Sequence, residues 1–214
     1  MSAEGPRSAL TGAGWTAILV HQGLARFAAD LLPGDAALVQ AVADEAPPPA
    51  EAPDHRDWEG LLDTLADAWP DDRNEGPLGR LVDELGIGPP GLFLLGLAGA
   101  CEESHLVGLL LDRLQSPETG ARPRVHLVLA MARELFGVSA LDVHWLLSLP
   151  TLAFGLLTLE GEGPLPTRVL RVHPILWSVL NGRPVRWPGC QVVLAGDRKR
   201  LLPAAIIGDI PALA

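Results

Sequence analysis

Between Gly88 and Trp187 the sequence runs through several short apolar helical segments. It then enters two proline-bounded extended stretches, Thr151 to Glu160 and Thr167 to Val172, joined by Gly161-Glu162-Gly163-Pro164. Glycine and proline at that density reverse a chain, so the order predicts helices feeding a two-stranded hairpin. Such a layout offers surfaces rather than a reaction centre, and points to an interaction module.

Around that block the apolar spacing divides the chain. Ile18, Leu24, Phe27 and Leu31 fit one face of a helix over Trp15 to Leu32, and Leu38 to Val42 fit a second after Pro33-Gly34. The acidic, proline-rich run Asp44 to Pro53 favours an extended linker. Beyond it, Trp58, Leu61, Leu62, Leu65 and Trp69 make an amphipathic helix that Pro70 ends, with Asp63 and Asp67 on its wet side. Leu78, Leu81, Val82 and Leu85 make another, closed by Gly86 as a left-handed cap.

Gly91 to about Ala100 is apolar nearly all round, which predicts a central helix buried on every side. Leu106, Leu109, Leu110 and Leu114 mark the next helix, and Val125, Leu129, Ala132 and Phe136 the one after. Ser139 with Asp142 opens a further helix through Leu149, ended by Pro150. Pro174 suits the first turn of a helix capped by Asn181-Gly182, and Gln191 to Ala195 reads as a strand. The expected fold is mainly α with a small β-hairpin. Residues 1–45 form a helical N-terminal segment, 46–55 a linker, 56–86 a helical pair, 87–190 a winged-helix-like domain, and 191–214 a C-terminal strand and tail.

At 214 residues with mean hydropathy +0.25, the chain is long and apolar enough to fold as a globule. Its longest apolar run, Ile87 to Cys101, is shorter than the roughly 20 residues of a membrane span. The N-terminus has neither the basic start nor the apolar stretch of a secretory signal, so the expected compartment is cytoplasmic. Two cysteines, Cys101 and Cys190, are too few for a disulfide framework.

Charge is lopsided. Met1 to Pro90 holds 16 acidic and 5 basic residues, a net −11, while Gly91 to Ala214 holds 10 and 11, a net +1. A duplex binder clusters lysine and arginine along its phosphate contacts. With one lysine, Lys199, in an acidic chain, composition argues against a nucleic-acid partner.

No motif for catalysis, cofactor or metal stands out. Cys101 and His105 lie one helical turn apart near Glu102, Glu103 and His126, yet no Cys-x-x-Cys or His-Glu-x-x-His pairs them. The phosphate loop, the dinucleotide fingerprint and the nucleophile elbow are all absent. What remains are partner-binding candidates. Arg122, Arg124, Arg168, Arg171, Arg183 and Arg186 gather in the hairpin half, and Trp69 and Trp187 stand beside prolines as possible exposed anchors.

Read together, four stretches resemble a known arrangement. They are Leu85 to Pro90 entering the apolar helix with Glu102-Glu103 after it, Arg122-Pro123-Arg124-Val125, Leu149-Pro150 to Leu157, and Arg168 to Val172. They are similar to the winged-helix region preceding the ATPase module in bacterial AAA-type ATPases, including those of contractile injection systems. Gly88-Pro89-Pro90 replaces the polar part of that family's usual helix start. The resemblance covers about half the chain and implies a domain that positions a protein partner beside an ATPase ring or docks neighbouring subunits in an oligomer. The family's nucleotide-binding elements have no counterpart in these residues, so the resemblance would put ATP hydrolysis after Ala214. Two other classes compete. A winged-helix transcription regulator would carry a basic recognition helix, whereas Ser139 to Leu149 has no lysine or arginine. A small hydrolase would need a placed nucleophile.

Overall fold

The structure, a computed structural model, describes residues 12–46, 58–63, 77–138 and 143–183. Trp69, Arg186 and Trp187, the Ser139/Asp142 cap, the strand expected at Gln191 to Ala195 and most of the linker lie outside these residues.

The helices are α1 (Gly12–Leu31), α2 (Ala36–Asp44), α3 (residues 58–63), α4 (Pro77–Leu85), α5 (Pro89–Glu103), α6 (His105–Leu114), α7 (Val125–Phe136), α8 (Val143–Ser148), α9 (Pro150–Ala153) and α10 (Pro174–Leu180). Two strands, β1 (Leu157–Glu160) and β2 (Val169–Val172), pair antiparallel, with Leu157 opposite Val172 and Glu160 opposite Val169. The fold is mainly α with a small β-hairpin.

The central helix is α5, as its composition requires. Every residue from Gly91 to Ala100 is buried, and α1, α6, α7, α9, α10 and β2 pack around it. Pro89 starts it, because a fixed φ suits the first turn and the missing N–H has no partner there to lose. Close approach needs glycine: a β-carbon on Gly96 would meet the Thr16 and Val20 methyls of α1 at 2.5 and 2.6 Å. Gly86 closes α4 with φ +63, and Ile87 N–H returns to the Val82 carbonyl at 3.0 Å. One hydrophobic cluster runs from Trp15 through Trp58, Leu78 and Phe93 to Leu180, so the segments expected on either side of Gly86 share a core.

Two expectations are corrected. The first extended stretch begins at Leu157, not Thr151. Leu149 turns to ψ 135, which ends α8, and Pro150 at a first-turn position then starts the short helix α9. Proline here ends one helix and begins the next. The second correction concerns Cys101 and His105. Ser104 is extended (φ −106, ψ 119) and accepts from Val107 N–H as the cap of α6, and α5 and α6 meet at 114°. The two residues therefore stand on different helices.

The hairpin has a third participant. Arg124 bridges Val169 antiparallel: Val125 N–H donates to the Arg168 carbonyl at 2.9 Å and Leu170 N–H to the Pro123 carbonyl at 2.8 Å. The elements run α6, bridging segment, α7, α8–α9, β1, β2, with β2 flanked on both sides.

Candidate functional site

Four of the arginines singled out in the sequence are held by carboxylates. Arg122 reaches Glu102 at 3.0 Å, Arg124 reaches Glu118 at 3.0 Å, Arg171 reaches Glu160 at 2.9 Å and Arg183 reaches Glu103 at 2.6 Å. Glu160, by hydrogen bond and then by charge, holds the Arg171 guanidinium above its ordinary pKa. Arg124 also donates to the carbonyls of Thr119 and Thr167. Arg168 gives its Nε hydrogen to the Gly163 carbonyl at 3.1 Å within the hairpin loop. Exposed pairs of this kind contribute little stability, because solvent and salt screen them. Their effect is on charge, since each neutralises a cation that phosphates would otherwise attract.

Arg122, Arg124 and Glu160 do come together, lining a cleft of about 610 Å³ between the bridging segment and the hairpin, with Cys101 in its wall. Desolvation, helped by Glu102, pushes the Cys101 thiol up to about 12, and the thiol donates to the Leu97 carbonyl at 3.0 Å. It stays a neutral thiol at ordinary pH and is a poor nucleophile. Among the described residues, no three His, Cys, Asp or Glu side chains converge as metal ligands would.

The element before the hairpin is buried on one side and exposed on the other. Here that element is α8–α9. Leu146 anchors it in the core, while Leu147 is 43% exposed and Phe154, just after α9, is 63% exposed. No lysine or arginine lies between Val143 and Leu157. The exposed side of α8–α9 therefore presents apolar groups and no cation.

A second cleft, of about 400 Å³, opens between α1, α5 and α10. His21 on α1 is buried and bonds the Val42 carbonyl at 2.9 Å through Nδ1, with Glu45 at 3.8 Å. The Ser104 hydroxyl donates to Glu45, and Glu103 holds Arg183. Trp177 lies flat against Gly99, where a β-carbon would overlap the indole. That indole is buried and its Nε1 hydrogen has no acceptor among the described residues, a condition that costs about 1–3 kcal/mol. Asn181 donates to the Trp177 carbonyl at 2.9 Å and completes the wall.

The chain matches no family model, no curated protein and no solved structure.

Sequence reasoning singled out neither His21, Glu45, Ser104 nor the unpaired Trp177 nitrogen. Glu45 fell inside the acidic linker, and the other three gave no local pattern to find.

Proposed function

We propose that this chain is a noncatalytic interaction and regulatory domain of a bacterial AAA-type ATPase, recruiting or positioning a protein partner beside the ATPase module. The observation that carries this is the apolar α8–α9 segment, with Leu147 and Phe154 exposed at the partner-facing position of a winged helix. Apolar groups held in water gain by being covered with protein, and gain nothing from a phosphate backbone. Support comes also from the winged-helix order and from the ion-paired arginines. On this reading the domain acts in the cytoplasm. No single helix among the described residues is long and apolar enough to cross a membrane.

The test is a pull-down with the purified chain as bait in lysate of its own host, with and without ATP. Recovery of an ATPase or an injection-apparatus protein, lost on Leu147→Asp with Phe154→Asp, supports the proposal. The shared architecture keeps a DNA-binding transcription regulator as the second reading. Retardation of random duplex at low salt, or recovery of RNA polymerase in place of an ATPase, would move that reading to first place.

A further inference from the structure

We propose that α10 is a releasable latch, opening from its seat on α4 and α5 while the rest of the helical core stays folded, and that the unpaired indole N–H of Trp177 keeps it releasable. The helix has seven residues, Pro174–Leu180. Isolated helices shorter than roughly 12–15 residues are marginal in water, so this one is helical because it is docked. Its docking rests on two buried residues, Trp177 and Leu180, whereas α7 buries seven of its twelve. Val179, between the two anchors, is 38% exposed.

The larger anchor is incompletely satisfied. The Trp177 ring fits against Gly99, where any β-carbon would overlap it, so the seat supplies apolar burial and close contact. It supplies the ring nitrogen with no acceptor among the described residues, and a buried donor left unpaired recovers a hydrogen bond once water reaches it. Trp58 shows the contrast: equally enclosed, it is pinned by its bond to the Leu135 carbonyl. The polar ties of α10 lie at its margin. Arg183, just past the helix, holds Glu103 with side chains 59% and 36% exposed, a pair that solvent and salt weaken. Asn181 bonds the Trp177 carbonyl within the helix's own last turn and tethers it to nothing else. At the other end a single residue, His173, separates α10 from Val172 of β2. A change in backbone dihedrals there swings the helix away with the hairpin pairing intact. Opening removes one wall of the cleft between α1, α5 and α10 and uncovers α5 at Gly99.

Native-state hydrogen exchange on the full chain tests this. The amides to follow are those of Trp177 and Asn181, which bond the carbonyls of His173 and Trp177, against those of Leu95 and Met131 in the core. Corrected for intrinsic rates, the α10 amides should exchange roughly hundredfold faster than the core pair. Their rates should stay flat in low urea, because a local opening exposes little surface, while the core rates climb. Exchanging the Trp177 indole for benzothiophene, which puts sulfur where the N–H stands, should slow α10 exchange roughly tenfold. Arg183→Gln should speed it roughly twofold.

If the α10 amides exchange at the core's rate and with the core's urea dependence, the helix opens only when the whole protein unfolds, and the proposal is overturned. Unchanged exchange in the benzothiophene variant, with the ring still seated, removes the unpaired N–H as the cause and overturns that half of it. The urea comparison is made on the unaltered chain, so it decides the latch even where the isostere packs poorly.

Discussion

The Trp58 indole nitrogen donates to the Leu135 carbonyl at 2.6 Å, joining residues 77 apart in sequence. The same ring meets Phe136 edge-on at 5.7 Å and lies against Gly23, where an added β-carbon would stand 2.8 Å from it. One side chain therefore ties α3 to the end of α7 and to the middle of α1. Trp58→Phe removes the donor and keeps most of the packing, and should cost about 1–2 kcal/mol of unfolding free energy. Trp58→Ala adds a cavity and should cost about 3–5 kcal/mol. Urea denaturation separates the two. Equal losses would mean that the hydrogen bond contributes nothing.

Gly99 is the seat of α10. A methyl group there overlaps the Trp177 ring, so Gly99→Ala should displace the ring, red-shift its emission and cost about 1–3 kcal/mol from overpacking. Gly34 has open space around it and needs no left-handed backbone. Gly34→Ala should leave both readouts unchanged, which makes it the control.

Cys101 gives a pH dependence whose sign is fixed. Its thiol is raised from 9.0 to about 12 in the folded protein, so above pH 9 the unfolded chain loses a proton that the folded chain keeps. Stability from this group is complete below about 9 and is lost as pH rises toward 12. In a Cys190→Ser background, alkylation by iodoacetamide at pH 8 should be slow in the native state and fast in urea. Cys101→Ala should flatten the alkaline fall in stability. Rapid native alkylation would contradict the neutral thiol.

The hairpin arginines bear on the proposed partner contact. Arg168→Glu with Arg171→Glu sets like charges beside Glu160 on an exposed surface, where the stability change should be small. Capture of the partner should nonetheless fall. Undiminished capture by a folded double variant would remove the hairpin arginines from the contact surface and leave α8–α9 to carry it.

How far the fold was legible depended on how local its causes are. α5 could be read because an all-apolar run leaves a helix nowhere but the interior, and Gly86 and Gly182 could be read because a left-handed residue must end each helix. Pro150 misled because the same ring that stops a helix also starts one. The bridge at Arg124 gave no signal. Three residues have no periodicity, and Pro123 joins the ladder through its carbonyl, needing no N–H. The clefts were invisible for a different reason. Glu45 meets Ser104, and Arg183 meets Glu103, only once α1, α2, α5 and α10 have packed. The same packing pairs the arginines that a linear reading leaves unpaired.

Gln115 shows how a single interior polar side chain positions the segment that bridges to the hairpin. It is 3% exposed. Its amide nitrogen donates to the carbonyls of Gly120 and Arg122 at 2.8 and 3.0 Å, and its oxygen accepts from Arg124 N–H at 2.7 Å. These three bonds fold the loop from Ser116 to Pro123 back on itself and deliver Arg124 to its bridge with Val169. Gln115→Ala leaves three backbone groups without partners and should cost about 2–4 kcal/mol. Gln115→Glu is the sharper test, because it keeps size and shape. The carboxylate still accepts from Arg124 but sets negative charge against two carbonyl oxygens, so it should be at least as damaging at pH 7 and recover part of the loss near pH 4 as the group takes up a proton. Denaturation of both variants at the two pH values measures this. A Gln115→Glu protein as stable as the original at pH 7 would show that the loop is held by other contacts.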